Sequence, residues 1–466
     1  DRGHTAEILR PEWEGKMRPD LLQFLRTQVA DGAQVRQDTE GQQRVRAKPH
    51  STSMENPGAI LDKLWRKGAC LGRKLLCRAS RPELGYMGKD KPGIEECPNG
   101  AVSKQNPDRT ISEEVRVIWD LRNNNADGHV LNHAPALTPR HRELGRAIVW
   151  WGVRLPGIPV LMVKLDVRGA FTLVWLRPQD CGKVSTEIGT EEWGLGPDDV
   201  LAALSLTLEF GGCGSPGEWV TWSWGLKEAH SHVFPAEPLW NGLECFSSSY
   251  LVDDQALLDP SVARRPWMSK RAAKRITRAL LGSGAANDDK ESIEGRPSYI
   301  QIMWGLIVNA LLKKVGMPEQ KLIKAQFVFG DVELDYGFTR VKIHTLQVLR
   351  GNAEWFQIVL PRLRPWLATM DLMMKGIKPG QVFVRMEDAG EELWEEFNEM
   401  IEAFRVMVSR PELWEQDFTV SLVGMLSPSE RLAIKSENER LIWTGGDATL
   451  DIFAFIDWTL KAYFLL

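Results

Sequence analysis

The stretch 249–259, SYLVDDQALLD, decides the fold, because it places two adjacent acids between two apolar runs. Asp253 and Asp254 follow "YLV" and precede "ALL", a pattern that predicts a β-hairpin over 246–259 with the acids at or beside its turn. Carboxylates held side by side repel each other unless protons or cations compensate them. A pair of acids in a turn is often merely solvated, so other acids must lie close by before the pair indicates chemistry.

A second acid ends another predicted strand. The run 158–167, IPVLMVKLDV, predicts a strand in which alternate residues, Lys164 and Asp166 among them, share one face. If this strand and the hairpin are neighbours in one sheet, Asp166, Asp253 and Asp254 converge at one edge. Two Mg²⁺ ions about 3.5–4 Å apart on such carboxylates stabilise both the attacking and the leaving oxygen of a phosphoryl displacement. The three acids therefore predict a two-metal site.

Charge is distributed in two opposed blocks. The chain of 466 residues has a formal net charge of −4, which alone does not indicate a nucleic-acid partner. Residues 44–109 nevertheless contain fourteen Lys and Arg against seven Asp and Glu, whereas 387–417 contain eleven acids against two bases. A basic block attracts phosphates even in an acidic chain, although it is also compatible with a solvated basic face.

Cysteine usage and hydropathy indicate an intracellular protein, cytoplasmic or nuclear, without membrane contact. None of the six cysteines forms a CxxC pair, and no Cys/His group has zinc-ligand spacing. No apolar run reaches the roughly 18–20 residues needed to span a bilayer. The chain begins at Asp1 without Met and ends in the apolar AYFLL, which suggests a piece of a longer polyprotein.

The run SPGEW, 215–219, predicts the start of a helix. Ser215 is expected to cap it, Pro216 suits the first position, and Glu218 completes a capping box. Trp219 and Trp222 then recur at helical spacing, which predicts core packing rather than a stacking platform.

In this order the motifs resemble those of reverse transcriptases from retrotransposons, most closely the Gypsy-like and tyrosine-recombinase (DIRS-like) groups. The likeness covers roughly 97–370. KLDVRGAF (164–171), FGGCGSPGEW (210–219) and YLVDDQALL (250–258) are similar to the first three palm motifs. VRVIWDLRNNN (115–125) is similar to a fingers motif, and NDDKES (287–292) with IMWGLIVN (302–309) to the fourth and fifth palm motifs.

The resemblance implies roles for the acids and for one lysine. Asp166 and Asp253 would be the main ligands of two Mg²⁺ ions, with Mn²⁺ as an alternative ion, and Asp254 would be a weaker partner. Lys290 would protonate or electrostatically assist the leaving pyrophosphate.

It also implies a nucleotide site. Arg116 would contact the incoming triphosphate, with Lys104 or Arg109 as a second phosphate contact. The backbone of Gly214 and Ser215 would support nucleotide and template.

Two aromatic residues belong to the same implied nucleotide site. Phe171 would be the steric gate that excludes a ribose 2′-hydroxyl, against the simpler interpretation that it only packs. Phe210 stands where many retroviral enzymes have Gln, which puts in doubt a hydrogen bond from this position to the sugar.

The implied fold is α+β, a right-hand polymerase with fingers, an antiparallel palm sheet with helices, and a thumb. We expect an N-terminal extension over 1–42, basic fingers and the start of the palm over 43–157, a palm with an inserted fingers segment over 158–310, a thumb over 311–378, a connection-like helical segment over 379–440, and the start of a ribonuclease H-like domain over 441–466. In the last segment Asp447 would be a metal ligand, or simply a turn residue beside two glycines.

The thumb carries bases that are candidate phosphate contacts to a template–primer duplex, and about half of them are expected to be ordinary solvated side chains. They are Lys321, Lys324, Arg340, Lys342, Arg350, Arg362 and Arg364.

The resemblance implies an RNA-directed DNA polymerase whose partners are an RNA or DNA template with primer and dNTPs. An RNA-dependent RNA polymerase shares the palm acids and is the first alternative, disfavoured by Phe171. A decayed copy that only binds nucleic acid is the second, disfavoured by the three intact acids.

Overall fold

The structure is a computed structural model, and it divides the chain into two compact units. Unit 1 comprises Asp1–Pro139, Lys164–Leu257 and Trp267–Arg296, and unit 2 comprises Arg140–Val163, Leu258–Pro266 and Pro297–Leu466. The residues that the structure describes are 5–35, 50, 55, 57–78, 97–105, 111–122, 125, 133–188, 201–233, 245–334, 338–360, 363–378, 380–417, 444–448, 453–457 and 462–465.

Unit 1 contains five of the described α-helices. The first helix forms from an amphipathic sequence with Pro at its N-terminus, and it buries Leu21, Leu22 and Leu25. The five helices are α1 (Pro19–Asp31), α2 (Pro57–Lys63), α4 (Ser215–Ser231), α5 (Arg265–Leu281) and α6 (Asp288–Glu294).

Strands β1 to β8 form three small sheets. Their bounds are β1 (Lys74–Arg78), β2 (Asn99–Gln105), β3 (Ile111–Trp119), β4 (Val160–Asp166), β5 (Ser185–Ile188), β6 (Leu201–Ser205), β7 (Ser248–Leu251) and β8 (Asp254–Pro260). The sheet orders are β1-β6-β5, β2-β3 and β4-β8-β7. The predicted strand at 158–167 and the predicted hairpin at 246–259 are therefore neighbours in one sheet.

The core of unit 1 lies around α4. Trp219 and Trp222 are buried there, as their helical spacing predicts, together with Leu226, Leu25 and Phe171. Burial of these large apolar side chains is the main stabilising contribution to this unit.

Unit 2 is mainly helical. Its helices are α3 (His141–Arg154), α7 (Glu319–Phe329), α8 (Ile343–Val359), α9 (Arg364–Met373), α10 (Met386–Ala389) and α11 (Glu391–Val408). Helix α11 packs into the core of this unit through Phe397, Ile401 and Phe404, which recur at helical spacing along one face.

The strands of unit 2 lie in separate sheets. They are β9 (Ile300–Met303), β10 (Leu306–Asn309), β11 (Lys314–Gly316), β12 (Arg340–Lys342), β13 (Phe383–Arg385), β14 (Glu415–Asp417), β15 (Thr444–Ala448), β16 (Phe453–Asp457) and β17 (Ala462–Leu465). The sheet orders are β14-β11-β10-β9, β12-β13 and β15-β16-β17, and Asp447 pairs with Ala454 in the last sheet.

Across the described helices, none is both long and apolar enough to cross a membrane.

Candidate active site

The hairpin tip is held by the core beneath it. Strands β7 and β8 pair antiparallel with Leu251 opposite Asp254, so Val252 and Asp253 form the turn. Val252 has a positive φ of 57°, a strained conformation for a β-branched residue. The buried indole of Trp219 donates a 2.7 Å hydrogen bond to the Val252 carbonyl oxygen. Helix α4 thus helps to fix the turn that presents the two acids.

The end of β4 lies directly beside this turn. The backbone nitrogen of Val167 donates to the Asp253 carbonyl oxygen at 2.9 Å, and that of Asn287 donates to the Asp166 carbonyl oxygen at 3.1 Å. Asp166 therefore lies between the hairpin tip and the segment that leads into α6. The structure brings together the three predicted acids, which we call the acid edge: Asp166, Asp253 and Asp254.

One ammonium group links two of these carboxylates. Lys290 Nζ lies 2.6 Å from Asp166 Oδ1 and 3.1 Å from Asp254 Oδ1. The second oxygen of Asp166 accepts a 2.7 Å hydrogen bond from Asn287 Nδ2. Lys164 Nζ is 3.9 Å from Asp254 Oδ1, but it pairs more closely with Glu294, at 2.7 Å. The acid edge thus has a fixed basic partner on α6.

Two pKa values record the crowding of charge. Burial raises the pKa of Asp253, and the negative charges of Asp254 and Asp166 raise it further. Burial lowers the pKa of Lys290, but its hydrogen bonds and charge interactions with Asp166 and Asp254 outweigh burial and hold that pKa above its usual value. One lysine therefore compensates the three carboxylates only in part.

The donor chemistry of the acid edge fits Mg²⁺, which prefers a few carboxylate oxygens with water and substrate phosphates as its other ligands. Three carboxylates share this edge with one close lysine, so added positive charge would be stabilised there. As placed, however, no three His, Cys, Asp or Glu side chains in the described ranges form a group that could hold a metal ion. Lys290 contacts Oδ1 of Asp166 and Oδ1 of Asp254, so a metal ion that bridged these two oxygens would replace its ammonium group.

Two aromatic rings pack next to the first palm-like motif. Phe171 is 5% exposed and Phe210 is 57% exposed. Their ring centroids are 4.5 Å apart in an edge-to-face arrangement. The ring that faces solvent is therefore that of Phe210, and Phe171 supports it from the core.

The glycine-rich turn at 211–215 is held from two sides. The side chain of Asn125 donates to the Gly211 carbonyl oxygen at 2.6 Å and accepts from the Cys213 backbone nitrogen at 2.8 Å. The ring of His133 fills the space beside Gly214, where a Cβ atom would overlap it. Gly214 and Ser215 are both buried. The predicted contact with nucleotide and template would therefore involve the backbone of this turn rather than the Ser215 side chain.

The predicted capping box at α4 is wrong. The N-cap residue is Gly214, without a side-chain cap, and Ser215 is the first helical residue. The Glu218 carboxylate instead accepts a hydrogen bond from Gln28 and lies 3.1 Å from His133 Nδ1. Because this carboxylate is buried, it is used for contacts with distant parts of the chain rather than for the free backbone groups of its own helix.

Two of the three predicted triphosphate contacts lie on the sheet formed by β2 and β3. Arg116 is an exposed residue of β3, and Lys104 lies on the adjacent strand β2. Within the described part of the chain, no hydrogen bond or ion pair links Arg116 to the acid edge. Arg109 lies outside the described residues.

The described bases that were predicted for the thumb fall into three groups. Lys342 pairs with Glu333 at 3.3 Å, and Arg350 pairs with Glu354 and Asp371 at 2.5 and 3.0 Å. Lys321 lies over the Trp355 ring at 3.6 Å, and Arg340 over the Phe383 ring at 4.9 Å. Lys324 and Arg364 are exposed without an acidic partner in the ranges that the structure describes. Arg362 lies outside those ranges.

Sequence reasoning missed Asn287, Asn125 and His133. Asn287 lies in the motif NDDKES and Asn125 in VRVIWDLRNNN. Their positions beside charged or turn residues were the sequence feature from which a structural role could have been predicted. Nothing in the sequence around His133 indicates its contact with Gly214 and Glu218, because those residues are far away along the chain.

Comparisons with known proteins bear on the fold. No protein-family model and no curated protein sequence matches the chain. Among solved structures, the chain is similar to a foamy viral protease-reverse transcriptase in complex with dsDNA, with a TM-score of 0.50 and 12% identity over 98% of this chain and 75% of that one. A second structure of the foamy viral enzyme, dRH in complex with dsDNA, gives the same TM-score and identity over 98% of this chain and 68% of that one. The chain therefore has a reverse-transcriptase-like fold.

Proposed function

We propose that this chain is the polymerase part of a retroelement reverse transcriptase, which adds dNTPs to a primer 3′-hydroxyl on an RNA or DNA template. The observation that carries the proposal is the convergence of Asp166 and Asp254 on Lys290 beside the Asp253 turn. The reverse-transcriptase-like fold supports it, and the similar foamy viral structures were solved with dsDNA.

Asp166, Asp253 and Asp254 are the residues that would hold Mg²⁺. When bound, the ions would activate the primer hydroxyl and neutralise charge on the departing pyrophosphate. Asn287 keeps the Asp166 carboxylate oriented through its 2.7 Å hydrogen bond. Trp219 keeps the hairpin tip in place through Val252.

Lys290 has a second role in this proposal. A lysine is protonated at neutral pH, and the carboxylates of Asp166 and Asp254 hold the pKa of Lys290 higher still, so it carries a positive charge at the acid edge. Once displaced from the carboxylates, the ammonium group would be free to approach the pyrophosphate and to stabilise or protonate it.

The remaining predicted residues would bind the substrates. Arg116, with Lys104 or Arg109, would contact the triphosphate, since guanidinium groups suit phosphate oxygens. The backbone at Gly214 and Ser215 would support the nucleotide. Lys324 and Arg364 are the thumb bases best placed for template–primer phosphates, because no carboxylate in the described chain neutralises them.

The test is extension of oligo-dT on poly-rA with Mg²⁺. We expect the unmodified chain to extend the primer, and Asp253→Asn to abolish extension while leaving duplex binding intact. Asp289→Asn is the matched control, because the Asp289 side chain is 89% exposed on α6 and pairs with Arg168 rather than with the acid edge.

Three results would contradict the proposal. If Asp253→Asn extends the primer at the unmodified rate, the acid edge is not the catalytic site. Incorporation of rNTPs in preference to dNTPs would identify an RNA polymerase instead. If the unmodified chain binds the duplex but never extends it, the decayed-copy alternative holds.

A further inference from the structure

Helix α5 carries a basic row that the acid edge does not use. The segment 264–281 contains seven Lys and Arg and no Asp or Glu. Trp267, Arg271 and Arg275 follow one another at intervals of four residues and are all exposed. Residues at this spacing lie one above the other on a single face of a helix. We call these three residues the α5 stripe.

The stripe lies on the side of the helix away from the core. Ala272, Ala273, Ile276 and Leu280 are buried, and they occupy the opposite face on a helical repeat of 3.6 residues. The Trp267 side chain, in contrast, is 52% exposed. An exposed tryptophan with arginines one and two turns further on is not explained by packing.

Ion pairing separates the stripe from the row of bases beside it. Lys270 pairs with Glu291 at 2.6 Å, and Lys274 and Arg278 pair with Asp288 at 2.9 and 2.7 Å. These contacts use the acids that α6 offers to α5. Arg271 and Arg275 have no acidic partner in the ranges that the structure describes, so their charges remain available to a ligand.

We propose that the α5 stripe is a second nucleic-acid contact, which binds single-stranded nucleic acid outside the acid edge. Arg271 and Arg275 are one helical turn apart, which is a rise of about 6 Å along the helix axis. Their guanidinium groups suit neighbouring phosphates of one strand. Trp267 offers a face on which an unpaired base stacks, as in other single-strand binding surfaces. In the described part of the chain no hydrogen bond or ion pair joins the α5 stripe to the acid edge, so the two contacts can be tested separately.

Crosslinking locates the contact directly. A single-stranded oligonucleotide containing 4-thiouridine is irradiated with the full chain, both with and without a saturating primer–template duplex, and the crosslinked peptides are identified by mass spectrometry. We expect a crosslinked peptide that contains Trp267 under both conditions. Crosslinks confined to other peptides would overturn the proposal.

Binding measurements assign the energy to the stripe. With the duplex present, Arg271→Gln/Arg275→Gln should reduce the slope of log K against log salt for the oligonucleotide by about 1.4, at about 0.7 for each lost phosphate contact to a single strand. Trp267→Ala should weaken binding by roughly fivefold to a hundredfold. Extension of a short template should be unchanged in both variants.

Arg10→Gln/Arg18→Gln is the matched control, because it removes the same charge from exposed arginines that pair with Glu7 and Glu228. Its salt slope should equal that of the unmodified chain. An unchanged slope in the α5 variant overturns the proposal. Two further results would overturn it. If the α5 variant changes only the molecular mass measured by light scattering, the stripe binds the acidic α11 helix of a second copy. If the variant changes only binding to phosphatidylserine vesicles, the stripe binds an anionic membrane surface.

Discussion

At the scale of single residues, two packed phenylalanines differ in exposure, which bears on the proposed nucleotide gate. Phe171 was the predicted gate, but it is buried, and Phe210 presents the exposed ring against it. If the pair excludes a ribose 2′-hydroxyl, removing either ring should weaken the exclusion, since Phe171 holds Phe210 in place.

We therefore predict that Phe210→Ala and Phe171→Ala both raise the use of ribonucleotides relative to deoxynucleotides. The effect of Phe210→Ala should come with little loss of stability, because its side chain is mostly exposed. Phe171→Ala should also lower the free energy of unfolding, by about 3–5 kcal/mol, because it leaves a cavity. The kcat/KM ratio for rNTP and dNTP incorporation measures the first effect, and urea denaturation the second. Unchanged discrimination in both variants would reject the gate.

Local sequence patterns were sufficient to predict that the three acids lie close together. The DD pair between apolar runs and the Asp that ends a strand are patterns of a few neighbouring residues, and the structure brings these acids together. The bond from Asn287 to Asp166 and the contact of His133 with Glu218 join positions far apart along the chain. No periodicity or propensity marks such pairs, so only the folded chain reveals them.

At the scale of elements, tertiary contacts overrode two local signals. The capping box predicted at α4 does not form, because Glu218 makes buried contacts with Gln28 and His133 instead. The sequence AILDKLWRKGACLGRKLL (59–76) is typical of a single helix, but the helical turns end at Leu71 and Lys74–Arg78 is strand β1. Pairing with β6 supplies the backbone hydrogen bonds of β1, which intrinsic helix propensity does not anticipate.

Helix α4 also provides a stability test, because Gly217 lies against another segment of the chain. A Cβ atom at Gly217 would overlap the Ala134 carbonyl oxygen. Alanine normally favours a helix over glycine by about 1 kcal/mol, but here we expect Gly217→Ala to lower the free energy of unfolding by about 1–3 kcal/mol through steric overlap. Denaturant unfolding measures the change.

Gly182→Ala is the control for this substitution. An added Cβ atom there has no neighbour within 4 Å, and Gly182 does not have a positive φ. The change should therefore be neutral or slightly stabilising. Equal effects at the two glycines would show that the contact with Ala134 is not what constrains Gly217.

At the scale of the whole molecule, the proposed nucleic-acid partner has to be reconciled with a net charge of −4. The total conceals two opposed blocks, a basic one over 44–109 and an acidic one over 387–417, so local charge says more about phosphate binding than the sum does. Pairing distinguishes these bases better than their number does. A lysine or arginine that pairs with carboxylates contributes little to the free energy of phosphate binding, because it must first break its existing ion pair.

This argument gives different predictions for bases that look alike in the sequence. Binding of a primer–template duplex should weaken as KCl rises at constant Mg²⁺, with a slope of about −0.9 for each phosphate contact. Lys324→Gln and Arg364→Gln should each make the slope shallower by about 0.9. Arg350→Gln should leave it nearly unchanged, because Arg350 already pairs with Glu354 and Asp371. Fluorescence anisotropy with a labelled duplex measures the three slopes. A loss at Arg350 equal to that at Lys324 would show that carboxylate pairing does not select the phosphate contacts, and a slope near zero for the unmodified chain would remove the basis for duplex binding by these bases.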